Sequence, residues 1–126
     1  MNVALWIVAG LLAAAFLASG VVKLAQPKEK LVASGMPALE DFSAGAIKAI
    51  GGLEVLAAVG LILPAALGIA PVLVPLAALG VVLLMAGATI THLRRHELQA
   101  IVVPLALLAM GALVTWGRFG PESFTG

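Results

Sequence analysis

The stretch GAIKAIGGLEVLAAVGLIL, residues 45–63, decides how the rest of the chain is read. Its nineteen residues are apolar or small, apart from Lys48 near the start and Glu54 near the middle. A helix rises about 1.5 Å per residue, so roughly 20 such residues cross the hydrocarbon core of a bilayer. Glu54 would then lie far from water, where a charged side chain costs about 2.5–3.5 kcal/mol and usually faces the interior of a helix bundle. One lone helix offers no interior. The stretch therefore predicts further spans packed around Glu54.

They are present. Residues 3–25, 71–92 and 101–116 are similar apolar runs, which with 44–63 make four spans in a single domain, 1–126. Apolar residues form 63% of the chain and charged residues 10%. A typical soluble domain carries about 25% charge, so this chain cannot cover its surface with polar groups. No ten-residue alternating segments suggest a barrel. The expected fold is all-α: an integral membrane four-helix bundle in a lipid bilayer. Residues 26–44 alternate charges with Leu31, Val32, Met36, Leu39 and Phe42, and carry Pro27, Gly35 and Pro37. They predict a short interfacial helix or loop and a turn between the first two spans. The uncharged PAALGIAP, 64–71, predicts a tight hairpin bracketed by prolines.

Composition also excludes functions. With no cysteine there is no thiol redox pair, disulfide or thiolate metal site. A net charge of +1 gives no basic face for nucleic acid. Glu54 and His92 are too few ligands for a metal. No nucleophile–base pair, phosphate loop or dinucleotide fingerprint occurs, so no catalytic residue is expected. No Lys or Arg precedes the first apolar run, which favours a retained span over a cleaved leader.

Basic residues set the expected orientation. Lys23, Lys28, Lys30, Lys48, Arg94 and Arg95 cluster at one boundary, and Arg118 stands at the other. The positive-inside rule puts the first and third connections in the cytoplasm, with both termini extracytoplasmic and Trp6 and Trp116 at the outer interface. Small residues predict close helix packing: Gly10, Ala14 and Ala18, then Gly20, then Gly51 and Ala58 flanking Glu54, then Gly80 and Gly87.

Three residues could meet inside the bundle. Lys48 is a poor partner for Glu54, since six residues place it about 120° round the helix and its side chain leans back toward the surface. It reads as a snorkelling anchor. Lys23 and His92 lie on helices of the opposite direction and lean inward, toward Glu54. Lys23 faces a vertical gap near 10 Å, which two long side chains or a water could bridge. Ser19, Thr89 and Thr91 are expected to bond carbonyls four residues back. His96 reads as solvated.

Four pieces, ASGVVKLAQP (18–27), SGMP (34–37), GGLEVLAAVGLILP (51–64) and GATITHLRRHE (87–97), resemble in order and spacing the DoxX-like family of small bacterial membrane proteins. The resemblance covers about residues 10–98. It maps a recurring Gly–x–x–Lys onto Gly20 and Lys23, a second-helix Glu onto Glu54, and a third-helix His onto His92. It implies a bacterial inner-membrane location. Relatives are linked to quinone-coupled sulfur oxidation and to oxidative-stress systems. Without cysteine, such a role here would run through a bound quinone or a membrane redox partner. Three readings fit these residues: an accessory subunit holding a small apolar or quinone-like ligand beside Glu54, Lys23 and His92; a proton-coupled transporter; and a structural subunit, alone or as a homo-oligomer.

Overall fold

The computed structural model describes residues 2–33, 39–40, 42–70 and 72–120. Helix α1 is Asn2–Ala25, α2 is Lys28–Ala33, α3 is Ala44–Leu67, α4 is Leu73–Arg94 and α5 is Val102–Phe119, with a 3-10 turn at Leu98–Ile101 before α5. There is no strand among the described residues. Four of the helical stretches are 22 to 24 residues long and apolar enough to cross a membrane, the fourth counted from Leu98. The expected turn at Gly35 and Pro37 lies outside the described residues.

Local chemistry sets the helix ends. Ser43 caps α3 by accepting from the Ala46 N–H at 3.1 Å. The helix does not stop at Pro64, as the prolines suggested, but runs on to Leu67. Pro64 forfeits one backbone bond. The stop signal is Gly68, left-handed at φ 68°, with its N–H on the Ala65 carbonyl and the Ile69 N–H on that of Pro64. Helix α4 begins at Leu73 rather than at 71, and residue 71 is outside the described set.

The long helices form a ring in the order α1, α3, α4, α5, each antiparallel to its neighbours. Leu5, Leu12, Phe16, Leu61, Val74 and Val81 fill its centre. A second, smaller core of Leu31, Leu39 and Ile47 holds α2 beneath one end. That end carries Lys23, Lys28, Lys30, Lys48, Arg94 and Arg95 and is called the basic end below. Large apolar side chains cover the outside, with Ile7, Leu56, Leu83 and Val103 each more than half exposed. A surface of this kind is stable against lipid and not against water.

Glycines set the closest approaches. A Cβ on Gly20 would lie 2.6 Å from the Gly51 carbonyl oxygen, and one on Gly51 would lie 3.0 Å from that of Gly20, so α1 and α3 cross backbone to backbone. Ala58 is buried farther along the same seam. Gly117 similarly meets Leu5, and Gly111 meets Val81. Two expectations are corrected here. Gly10, Ala14 and Ala18 face outward, because Leu5, Ala9, Leu12, Phe16 and Gly20 form the buried face of α1. Gly80 and Gly87 make no close helix approach on their Cβ side: the space there is open.

Candidate functional site

The α1–α3 crossing fixes the first polar group. Lys23 lies one turn beyond Gly20 and Glu54 one turn beyond Gly51, on opposite sides of the crossing because the helices are antiparallel, and their side chains meet by leaning back toward it. The Lys23 ammonium bonds Glu54 Oε1 and donates to Ser19 Oγ at 3.0 Å. Glu54 is 3% exposed and Lys23 13%. An ammonium carries three donors, and the described residues engage two of them.

Lys48 lies one turn before Glu54's stretch of the seam and turns the other way. Its ammonium donates to the carbonyls of Lys23, Leu24 and Gln26 at 2.8, 2.9 and 2.8 Å. These are carbonyls that the end of α1 leaves without helical partners. A cation there also meets the negative end of the helix dipole. Lys48 does lean toward the basic end, yet its charge is spent on capping α1. That clamp holds the backbone of Lys23 in place.

His92 has a different partner from the expected one. Helix α4 ends with His96 in the left-handed region, φ 57°. The His96 N–H bonds the Leu93 carbonyl and the Glu97 N–H bonds that of His92, at 3.1 and 2.9 Å. This reversal is usually built on glycine. It folds Glu97 back over the helix, where Glu97 Oε1 lies 2.9 Å from His92 Nδ1 and Oε2 lies 3.4 Å from Arg95 Nε. The His92 hydrogen bond holds the Glu97 carboxyl below its ordinary value of 4.5; desolvation opposes it as the next largest effect, and the hydrogen bond and charge of Arg95 add to the lowering. With Nδ1 committed to Glu97, the other ring nitrogen of His92 is left to accept or donate.

The two polar pairs line one cavity of about 1000 Å³. Ser19, Lys23 and Glu54 contribute from α1 and α3; Thr91, His92, His96 and Glu97 contribute from α4 and its connection. Phe16, Leu84, Met85, Val103 and Leu107 supply apolar wall. The space exists because α1 and α5 touch mainly at the other end. There Leu5 meets Gly117, and Arg118 donates to Asn2 Oδ1 at 2.7 Å and lies over the Trp6 ring. Among the described residues no group of His, Asp and Glu could hold a metal ion.

A sequence model of the DoxX-like family matches residues 7–114. The chain belongs to the DoxX-like family. No curated protein and no solved structure matched it. Family and helices together make it a multi-pass membrane protein. In this DoxX-like protein Gly20, Lys23 and Glu54 form one contact group, while His92 joins the same cavity through a separate carboxylate. The SGMP piece lies outside the described residues.

The sequence reading missed Glu97, Lys48 as a clamp, and the role of Ser19. Thr89 and Thr91 do bond carbonyls four residues back, those of Met85 and Gly87. Ser19 instead accepts from Lys23. The one available signal for Glu97 was its position five residues after His92, which points to a contact only if the helix reverses at His96.

Proposed function

We propose that this DoxX-like protein is a binding subunit that holds a small quinone-like ligand in the cavity between Lys23–Glu54 and His92–Glu97. The observation that carries the reading is an apolar-walled cavity of about 1000 Å³ with polar groups gathered at one end. Ligand sites for organic molecules are commonly of this size and character. The spare N–H of Lys23 suits one carbonyl of a quinone, and the free ring nitrogen of His92 suits another polar edge. Glu54 and Glu97 stand next to these donors and could pass or receive protons when the ligand is reduced or oxidised. The electrons would come from a membrane redox partner on reduction and pass to one on oxidation.

A short-tailed 1,4-benzoquinone, titrated onto the protein in lipid nanodiscs, tests this. Saturable binding is expected, weakened roughly 10- to 100-fold by Lys23→Met, the loss of a charge-assisted hydrogen bond. His92→Gln should weaken it less. Binding no greater than to empty nanodiscs would overturn the proposal.

A structural role for the same ion pair has its own support, since the pair sits beside the Gly20–Gly51 crossing and could fix helix register. If Lys23→Met with Glu54→Leu bound quinone as the parent does, that role would replace the first. We also infer that the basic end faces the cytoplasm. The chain has no native cysteine, so a single Glu29→Cys probe in inverted and right-side-out vesicles reads this directly.

A further inference from the structure

A second cavity, of about 600 Å³, lies along the seam between α3 and α4. Every side chain lining it is apolar. Gly60 and Ala77 form its floor, where a Cβ on Gly60 would come within 2.9 Å of that of Ala77. Leu53 and Leu56 of α3 and Leu73 and Leu76 of α4 rise beside it, all four about half exposed or more. Leu83 and Leu84 line both cavities.

The two spaces follow one face of α4. The polar cavity takes residues from Leu83 to His92, and the apolar one takes residues from Leu73 to Leu84. Gly80 lies in the second and Gly87 in the first, seven residues and so about 20° apart on the helix. Neither has an atom of another helix within 4 Å of where a Cβ would stand. These glycines therefore do not admit another helix of this chain; they leave room along the groove. From His92 to Leu73 the face is roughly 28 Å long, close to the thickness of the bilayer hydrocarbon.

We propose that the ligand is a long amphiphile, whose polar head occupies the Lys23–His92 cavity and whose own apolar tail lies in the α3–α4 groove. This rests on the proposed binding role of the polar cavity and adds the ligand's shape. Leu83 and Leu84 border both spaces, which favours the tail of the same molecule over an unrelated lipid. In a bilayer the tail gains little from leaving lipid, because lipid is as apolar as the groove. The groove therefore sets the orientation of the head more than its affinity.

Photo-crosslinking separates the two proposals. The intact protein in nanodiscs is exposed to benzoquinones with polyprenyl tails, carrying a diazirine either beside the ring or at the tail end, and labelled peptides are mapped. The ring label is expected near Lys23, Glu54 and residues 91–97, and the tail label on residues 53–60 and 73–80. Gly80→Leu, which has open space to fill and raises helix propensity, should cut tail labelling severalfold and leave ring labelling in place. Ring labelling with tail label spread over the outward faces of α1 and α5 would overturn the tail placement alone. So would a diazirine phospholipid that labels the groove and resists competition by unlabelled quinone. Ring label absent from the cavity would overturn the binding role and the tail placement with it.

Discussion

Gly20→Ala is the sharpest test of how the site is built. The added methyl carbon would sit 2.6 Å from the Gly51 carbonyl oxygen and 2.7 Å from Val55 Cγ2. Ordinary contact begins at 3.4 Å, so the shortfall is about 0.8 Å. Valine in a helix is held to one rotamer and a carbonyl cannot rotate away, so α1 and α3 must separate. Moved by that amount, the Lys48 bonds of 2.8 to 2.9 Å stretch beyond hydrogen-bonding range. Overpacking costs about 1–3 kcal/mol, the lost carbonyl bonds add to it, and alanine returns at most about 1 kcal/mol of helix propensity. The expected net loss is about 2 kcal/mol.

Gly10→Ala and Gly52→Ala are the controls, since nothing lies within 4 Å of either position. Both should keep or raise stability, by up to about 1 kcal/mol. Unfolding in mixed micelles titrated with SDS, followed through Trp6 and Trp116 fluorescence, orders the three variants. Should Gly20→Ala prove as stable as Gly10→Ala, the backbone crossing that aligns Lys23 with Glu54 is wrong.

Removing one member of the buried pair, by Lys23→Met or Glu54→Leu, should cost about 3 kcal/mol in the same assay, whereas the double substitution should cost well under the sum; additive losses would mean that the two do not interact. Lys48→Met should lose about 1.5–3 kcal/mol and speed hydrogen exchange at residues 23–27, with little change at residues 102–119. His96→Gly removes a non-glycine residue from the left-handed region and should stabilise by about 0.5–1 kcal/mol; destabilisation would show that the imidazole makes a contact worth more than the strain. Because the folded state lowers the Glu97 pKa, its clasp on His92 is present above 4.5 and is lost as pH falls through the lowered value. Exchange protection at residues 93–98 should thus drop in acid in the parent chain and lose that dependence in Glu97→Gln.

How much of this was legible in the sequence depends on what each residue needed. Length and apolarity fix the four spans, because a bilayer accepts few other structures. Glu54 was legible for the same reason: a carboxylate in an apolar run requires an interior. The Lys23–Glu54 contact was legible in direction but not in reach. The gap near 10 Å assumed that α1 and α3 end flush. In the structure Lys48, four residues inside α3, caps the end of α1, so the two helices are offset by about a turn, which removes roughly half of the gap and leaves the rest to the two side chains. That offset comes from the Gly20–Gly51 crossing, and small residues reveal that helices approach without saying which pair meets. Gly10, Ala14 and Ala18 had the same spacing and face outward.

His92 failed for a different reason. It does line the cavity, but its partner depends on one backbone reversal. A glycine at 96 would have announced the turn; histidine concealed it. This has a chemical consequence, because an imidazole held by Glu97 at the bundle edge differs from one sharing Glu54 with Lys23. Two separate acid–base pairs on opposite sides of a cavity can each keep a partner while a ligand lies between them. One merged cluster of Lys23, Glu54 and His92 would satisfy itself and leave no donor to spare. The separation that the sequence could not show is what puts the cavity between the two pairs.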